Sequence, residues 1–371
     1  MNSRRSLSRK YVLYLAVLPK YRTECMTLLR QKMGNDLSIY VSPEHLDPSV
    51  RTGVPGDFYK SVSLHRVLGK RAFIQTGFIG QAMSAQTSVI DLNPRSLTAW
   101  IILTARLLLR RRTLVWGHIH PQAGVTARTA GLRRLMRRMS AGTISYTYRD
   151  AEKAKHDLPG APVWTAPNSL YRNDDIEPAA ASAPYGRTDI IYVGRFAPSK
   201  KVKLLIQGFA EAAKSANDIR LKLIGGGAEE DELRALAKLL GVEDKISFPG
   251  WIDDLGELRT HYSTAFCSAS PGFAGLGLTQ SLGFGIPMIV ARDEPHSPEI
   301  ELEETGAVHY FDSDSPLALS TAILALWKDR AKLPDTEASA FTKRRYSAEA
   351  MAEGIESALL DRQPRDIYVE A

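Results

Sequence analysis

Cysteine is nearly absent from this chain: two residues in 371, Cys25 and Cys267. They stand far apart and in no metal-like spacing, which excludes a disulfide framework or a zinc knuckle and fits a reducing compartment. Long apolar runs are also missing. The nearest, residues 97–109, is too short to span a bilayer and is interrupted by Arg106. No low-complexity tract or short-period repeat appears, so the chain is not a solenoid. No Asp-x-Asp stands at a strand end; Asp312-Ser-Asp314 comes after the last strand-like run and reads as a helix-capping loop.

The composition that remains is 44% hydrophobic and 24% charged, ordinary for a soluble globular protein. The length argues for two domains, each able to bury its own core. Net charge is +7, but it is divided unevenly. Residues 1–170 hold 26 Lys+Arg against 9 Asp+Glu, and the remainder 22 against 32. The first half therefore meets something anionic that the second does not.

Residues 1–10 are polar and basic and residues 11–18 apolar, the outline of a signal peptide. The next residues are Pro19-Lys-Tyr-Arg22 rather than a small-residue cleavage site, so the run reads as a first buried parallel strand. Further strand-like runs at 37–41, 72–75, 88–92, 113–116, 143–146 and 163–166 alternate with helix-length stretches at 23–33, 97–110, 129–139 and 150–157. Residues 173–186 carry Pro, Ala, Ser and Asp without periodicity and read as a linker. The second half repeats the alternation, with strand-like runs at 190–193, 221–224, 246–248, 265–267, 287–290 and 308–311. One more helix comes at 347–360. The expectation is an α/β protein of two Rossmann-like doubly wound domains, 1–170 and 189–345, joined by a linker at 171–188. Residues 346–371 form a C-terminal helix and tail that is a candidate to cross back to the first domain.

The stretch most able to carry chemistry begins at Asp189. An apolar strand ends in Gly194 and Arg195, and a tight turn through Pro198 brings Lys200 to the start of a helix. A strand entering a helix through a glycine turn leaves backbone N–H groups for an anion, to which an arginine adds a bidentate fork and a lysine a point charge. Gly225-Gly226-Gly227 ends the next strand. Phe248-Pro-Gly-Trp251 ends the one after and offers Trp251 as an edge for a nucleobase, although a core or lid aromatic would look the same. A glycine-rich loop from Pro271 through Gly275 and Leu276 enters a short helix that leads to Gly285-Ile-Pro287. All these loops lie at strand ends, where open α/β sheets bind ligands.

Over most of 187–345, in order and spacing, this series resembles the retaining glycosyltransferases of GT-B fold in family 4. The matching residues are Gly194, Arg195 and Lys200; Gly225, Gly226 and Gly227; Phe248 and Gly250; and Gly285 and Pro287. The resemblance implies two Rossmann-like domains facing across a cleft. Arg195 and Lys200 would hold the diphosphate of a nucleotide-sugar donor, and the glycine loops and helix the nucleoside. His118, in Trp116-Gly-His-Ile-His120, matches a family histidine that faces the donor sugar, with His120 a weaker candidate. The sequence departs from the family where two glutamates normally stand eight positions apart: here they are Gly272 and Gln280. Gln280 can still bond ribose hydroxyls through its amide, whereas Gly272 cannot touch the donor sugar: either backbone N–H groups of the loop at 273–276 hold it, or the donor specificity is unusual, or catalysis is weak. Lys20-Tyr21-Arg22 also replaces the family's Gly-Gly loop.

Two basic clusters remain, 106–112 and 128–139. In the second, Arg133, Arg134, Arg137 and Arg138 surround Leu132, Leu135, Met136 and Met139 at helical spacing. That is the pattern of a helix on an anionic membrane surface, and equally of one burying its apolar stripe in the domain. No nucleic-acid recognition motif accompanies the charge. The expected activity is metal-independent transfer of a sugar, with retention, from a nucleotide diphosphate to an acceptor hydroxyl. The acceptor would be a lipid-linked saccharide at the cytoplasmic membrane face. The altered glutamate pair keeps open a non-catalytic sugar-nucleotide-binding partner, and a sugar-nucleotide epimerase of the same fold is a further alternative. No cofactor is expected beyond the donor itself.

Overall fold

Residues 11–15 are apolar at every position and therefore need cover on both faces, which the computed structural model supplies. The structure describes residues 10–46, 51–67, 69, 71–119, 129–180 and 186–363. The chain divides into two units: unit 1 is Met1–Leu170 together with Ala348–Ala371, and unit 2 is Tyr171–Ser347.

In unit 1, β1 (Tyr11–Leu15), β2 (Leu37–Val41) and β3 (Lys60–Ser61) are parallel neighbours. Strands β4 (Ser63–Val67) and β5 (Ala72–Thr76) pair antiparallel in a separate hairpin, so the run at 72–75 is a strand but not one of the main sheet. The sheet continues with β6 (Thr87–Asp91), β7 (Arg112–Trp116), β8 (Gly142–Ser145) and β9 (Val163–Thr165), in the order β3-β2-β1-β6-β7-β8-β9. The crossovers use α1 (Thr23–Met33), α2 (Ile79–Ser84), α3 (Leu97–Leu108), α4 (Ala130–Met139) and α5 (Tyr148–Asp157). Leu13, Leu15, Leu114 and Trp116 face one side with α1, while Val12, Tyr14, Ile90 and Val115 face the other with α3 and Met136. Ser96 and Thr147 cap α3 and α5 by accepting from the N–H of Ala99 and Asp150.

Unit 2 repeats the plan with β10 (Asp189–Arg195), β11 (Arg220–Gly226), β12 (Ile246–Gly250), β13 (Ala265–Ser270), β14 (Met288–Ala291) and β15 (Val308–Phe311). All pairings are parallel, in the order β12-β11-β10-β13-β14-β15. Its helices are α6 (Val202–Ala213), α7 (Glu230–Leu239), α8 (Leu255–Ser263), α9 (Gly277–Gly283), α10 (Pro316–Asp329) and α11 (Thr336–Tyr346). The order of strands reverses beside β1 and beside β10, so each sheet has a switch point where a crevice opens at the strand ends.

One segment differs from the sequence reading. Of the residues expected as a linker, 171–180 and 186–188 attach to unit 2: the N–H of Ala179 bonds the Phe284 carbonyl at 2.9 Å, and buried Arg187 donates to the carbonyls of Tyr262 and Ala265. Such attachment needs no periodicity and leaves no sequence trace. The terminal helix, α12 (Ala348–Leu360), crosses back to unit 1, burying Met351, Ala352, Ile355 and Leu359 beside α1. Gly354 allows that contact, since a Cβ there would stand 1.9 Å from the Thr165 carbonyl oxygen.

Candidate functional site

At the carboxyl end of β10 the chain makes a 3-10 turn over Pro198–Lys200 before α6 begins. The glycine-rich loop after β13 lies directly on that turn. The Phe273 N–H donates to the Ser199 carbonyl at 3.0 Å, and Lys200 Nζ donates to the Phe273 carbonyl at 2.7 Å. The ammonium also sits 4.7 Å from the centre of the Phe273 ring. Together they wall a pocket of about 80 Å³, to which Gly194, Lys200, Phe273, Gly275 and Leu276 contribute. Sites that enclose a drug-sized ligand run to roughly 300–1,000 Å³, so this pocket has room for only part of such a ligand.

Its electrostatics favour an anion. Burial lowers the pKa of Lys200, and the Arg195 guanidinium lowers it further. No carboxylate compensates, because neither residue makes an ion pair among the described residues and the only acceptor for Lys200 is a neutral carbonyl. Two cations near one another without a counter-charge repel, and an anion between them would relieve that repulsion.

The other residues expected at the site surround this centre at varying distance. Gly194 pairs with Gly225 and Arg195 with Gly226 across β10 and β11. A Cβ on Gly225, whose φ is +134°, would meet the Gly194 carbonyl oxygen at 1.9 Å, and one on Gly227 the Phe196 carbonyl oxygen at 2.2 Å. The glycine triplet thus lets two strand ends approach each other. Trp251 is 63% exposed, with its indole nitrogen against Gly226, so it is free to serve as a platform. Phe248 instead packs against the unit 2 core, beneath the Arg234 guanidinium at 4.1 Å. Gln280, on α9 and only 6% exposed, donates from Nε2 to the Tyr171 hydroxyl at 2.7 Å and does not line the pocket.

Sequence reasoning missed His296. Its Nδ1 accepts from the Ala274 N–H at 3.1 Å and its Nε2 lies 2.6 Å from the Ala291 carbonyl. It tethers the pocket loop to β14. No signal 22 residues away in the chain identified it.

In unit 1, His118 lies just past the end of β7, with its ring edge-on to Tyr146 at 4.8 Å between centroids. Burial, with Arg133 and Arg22 nearby, pulls its pKa down to about 4, so it is neutral at working pH. His120 lies outside the described residues. The basic helix also differs from the even ring of arginines expected. Arg133 turns inward to donate to the carbonyls of Leu92 and His118 at 2.6 and 2.8 Å, and buried Arg137 bonds the Ala154 carbonyl and Asp157. Leu132, Leu135, Arg134 and Arg138 face out. The reason is that carbonyls at neighbouring strand and helix ends accept guanidinium N–H groups as well as water does. Arg106, of the other cluster, is fully buried and donates to the carbonyls of Ala82, Met83 and Ala85 at the end of α2.

Residues 174–340 match the family model described as glycosyl transferases group 1. The chain is 25% identical over 182 residues to the alpha-monoglucosyldiacylglycerol synthase of Streptococcus pneumoniae, covering 47% of this chain and 39% of that protein. It thus spans about two fifths of that relative's length. Among solved structures it resembles Anabaena Alr3699/HepE in complex with UDP, with a TM-score of 0.67, 14% identity, and 95% and 100% of the two chains covered. It also resembles the lipopolysaccharide outer core galactosyltransferase WaaB, with a TM-score of 0.66, 12% identity, and 95% and 99% covered. The match to the glycosyl transferases group 1 model is thus confined to residues 174–340, and the likeness to these solved structures shows a GT-B fold.

Proposed function

We propose that the protein transfers a sugar from a nucleoside diphosphate donor to an acceptor hydroxyl, with retention, and that the donor binds on unit 2. The observation that carries this reading is Lys200, a cation without a counter-charge that lines the pocket beside the uncapped N-terminus of α6, with Arg195 close enough to lower its pKa. As the bond to the sugar breaks, charge grows on the leaving diphosphate. Preorganised cations stabilise that charge, the role a metal fills elsewhere, so no resident metal is expected. Of the loop at 273–276, Gly275 and Leu276 are left to supply backbone donors where the family carries a glutamate, since the N–H groups of Phe273 and Ala274 are spent on Ser199 and His296, and Trp251 supplies a face for the base. His118, in unit 1, is neutral and can offer a hydrogen bond but not a positive charge.

The acceptor in this reading is a lipid-linked saccharide met at the inner face of the cell membrane. No helix among the described residues is long and apolar enough to cross a membrane. The neighbouring helices α3 and α4 instead expose Ile101, Leu108, Leu132 and Leu135 beside Arg134 and Arg138, a mixture suited to anionic lipid. The name of the Streptococcus relative, a diacylglycerol glycoside synthase, supports a lipid acceptor.

A panel of sugar nucleotides screened by thermal shift, and then nucleotide release with and without a membrane extract, tests the proposal. Release that requires the extract is the expected result. Tight donor binding with no release under either condition would establish a non-catalytic subunit instead.

A further inference from the structure

The loop that walls the unit 2 pocket cannot hold itself in place. Residues 271–278, Pro-Gly-Phe-Ala-Gly-Leu-Gly-Leu, carry no polar side chain, so their position must be imposed by neighbours. The neighbour is the segment 292–297, between β14 and the 3-10 helix at Pro298–Thr305. It is fixed first to residues that do not line the pocket. The Arg292 N–H donates to the Phe311 carbonyl at 3.0 Å, and the Asp293 N–H to Ser313 Oγ at 2.8 Å.

From that anchorage the segment reaches both walls of the pocket. Glu294, half-buried, pairs at 2.5 Å with Lys201 Nζ, which Asp314 also meets at 2.6 Å. Lys201 follows Lys200 directly and stands in the left-handed region, at φ +51°, where the turn passes into α6. Further along, His296 Nδ1 accepts from the Ala274 N–H at 3.1 Å, and the Ser297 N–H donates to the Ala274 carbonyl at 2.9 Å. Ala274 is only 2% exposed, so water does not stand in for those partners. On either side of it Phe273 and Gly275 line the pocket, and the Phe273 carbonyl is the acceptor of the Lys200 ammonium. The bond at Ser297 is main chain and would form with any side chain. Glu294 and His296 make theirs through side chains, so those two residues specify the connection.

We propose that His296 and Glu294 are positioning residues for the donor diphosphate, acting through Ala274 and Lys201 to hold the pocket loop and the Lys200 turn at the spacing that phosphate requires. A supporting contact of this kind fixes a charged group where flexible glycine-rich chain would let it wander. The proposal rests on the donor reading given above.

Calorimetric titration of the full chain with UDP and with uridine tests it. His296→Phe keeps a ring and loses the acceptor; it should weaken UDP about tenfold and change uridine by less than about twofold. In His296→Asn the amide oxygen can stand where Nδ1 stood, and UDP affinity should return to within about threefold of the wild type. A side chain that only supports the fold would weaken both ligands alike. Glu294→Ala is an independent variant, expected to weaken UDP severalfold, should His296→Phe fold poorly. The proposal is overturned by wild-type UDP affinity in both His296→Phe and Glu294→Ala, by equal losses for UDP and uridine, or by His296→Asn binding no better than His296→Phe. Wild-type protein with no preference for UDP over uridine would overturn the donor reading itself, and that titration precedes any variant.

Discussion

A side chain at position 272 would stand 2.3 Å from the Ser199 carbonyl oxygen. Gly272 is therefore the point where the pocket loop closes on the turn that carries Lys200, and the glutamate usual in the family has no room there. Gly272→Glu should displace the loop, lower the melting temperature and abolish UDP binding. Gly272→Ala should destabilise by roughly 1–3 kcal/mol, the usual cost of overpacking. Turnover raised by Gly272→Glu would show that the loop opens freely.

Arg195→Ala should weaken UDP roughly tenfold to a hundredfold and leave uridine nearly unaffected, because it removes a charge-assisted contact to phosphate. Lys200→Ala should do the same and also loosen the loop, since its ammonium holds the Phe273 carbonyl. Calorimetric titration with both ligands checks this. Equal losses for UDP and uridine would mean that the two residues only support the fold.

Gln280 is tied to Tyr171 across 109 residues of chain. Tyr171→Phe strands the buried Gln280 amide and should cost unit 2 on the order of 1–3 kcal/mol, read from the urea midpoint. If Gln280 also serves a ribose in the bound state, the same variant should change the affinity for uridine. An unchanged uridine affinity would confine Gln280 to the fold.

Stability should depend on pH in opposite senses at the two titrating groups of unit 1. The Asp91 carboxyl rises to about 7 on folding. Between its ordinary value, about 3.9, and that point, the folded state binds the proton that the unfolded state releases, so stability falls as pH rises. Asp91→Asn should thus stabilise the protein at alkaline pH and have little effect in acid. His118 falls to about 4. As pH drops below its ordinary value of about 6.5, the unfolded chain takes up a proton first, and stability is lost down to the folded value. His118→Gln should remove that loss. Urea midpoints across the range for each variant decide the matter.

Vesicle binding should depend on only part of the basic helix. Reversing Arg134 and Arg138 to glutamate should abolish binding to anionic vesicles at low salt without unfolding the protein. Reversing Arg133 or Arg137 should unfold unit 1, because both guanidinium groups are bonded inside it. Binding that survives Arg134→Glu with Arg138→Glu excludes this face.

Both sheets, the glycine turn before Lys200 and the strand-end position of His118 were legible in the order of residues, because strand and helix periodicity and turn chemistry are local properties. The glycine triplet after β11 was legible as well, but not its purpose, which is the approach of β10 and β11. What tertiary structure alone decided was where charge and polarity go. Among arginines of like spacing, Arg106, Arg133 and Arg137 turned inward to carbonyls, and Arg134 and Arg138 stayed in solvent. Gly272 proved to be a packing contact and Gln280 a partner of Tyr171. Each outcome depends on which groups lie across from a residue, and those groups come from parts of the chain that only folding brings together.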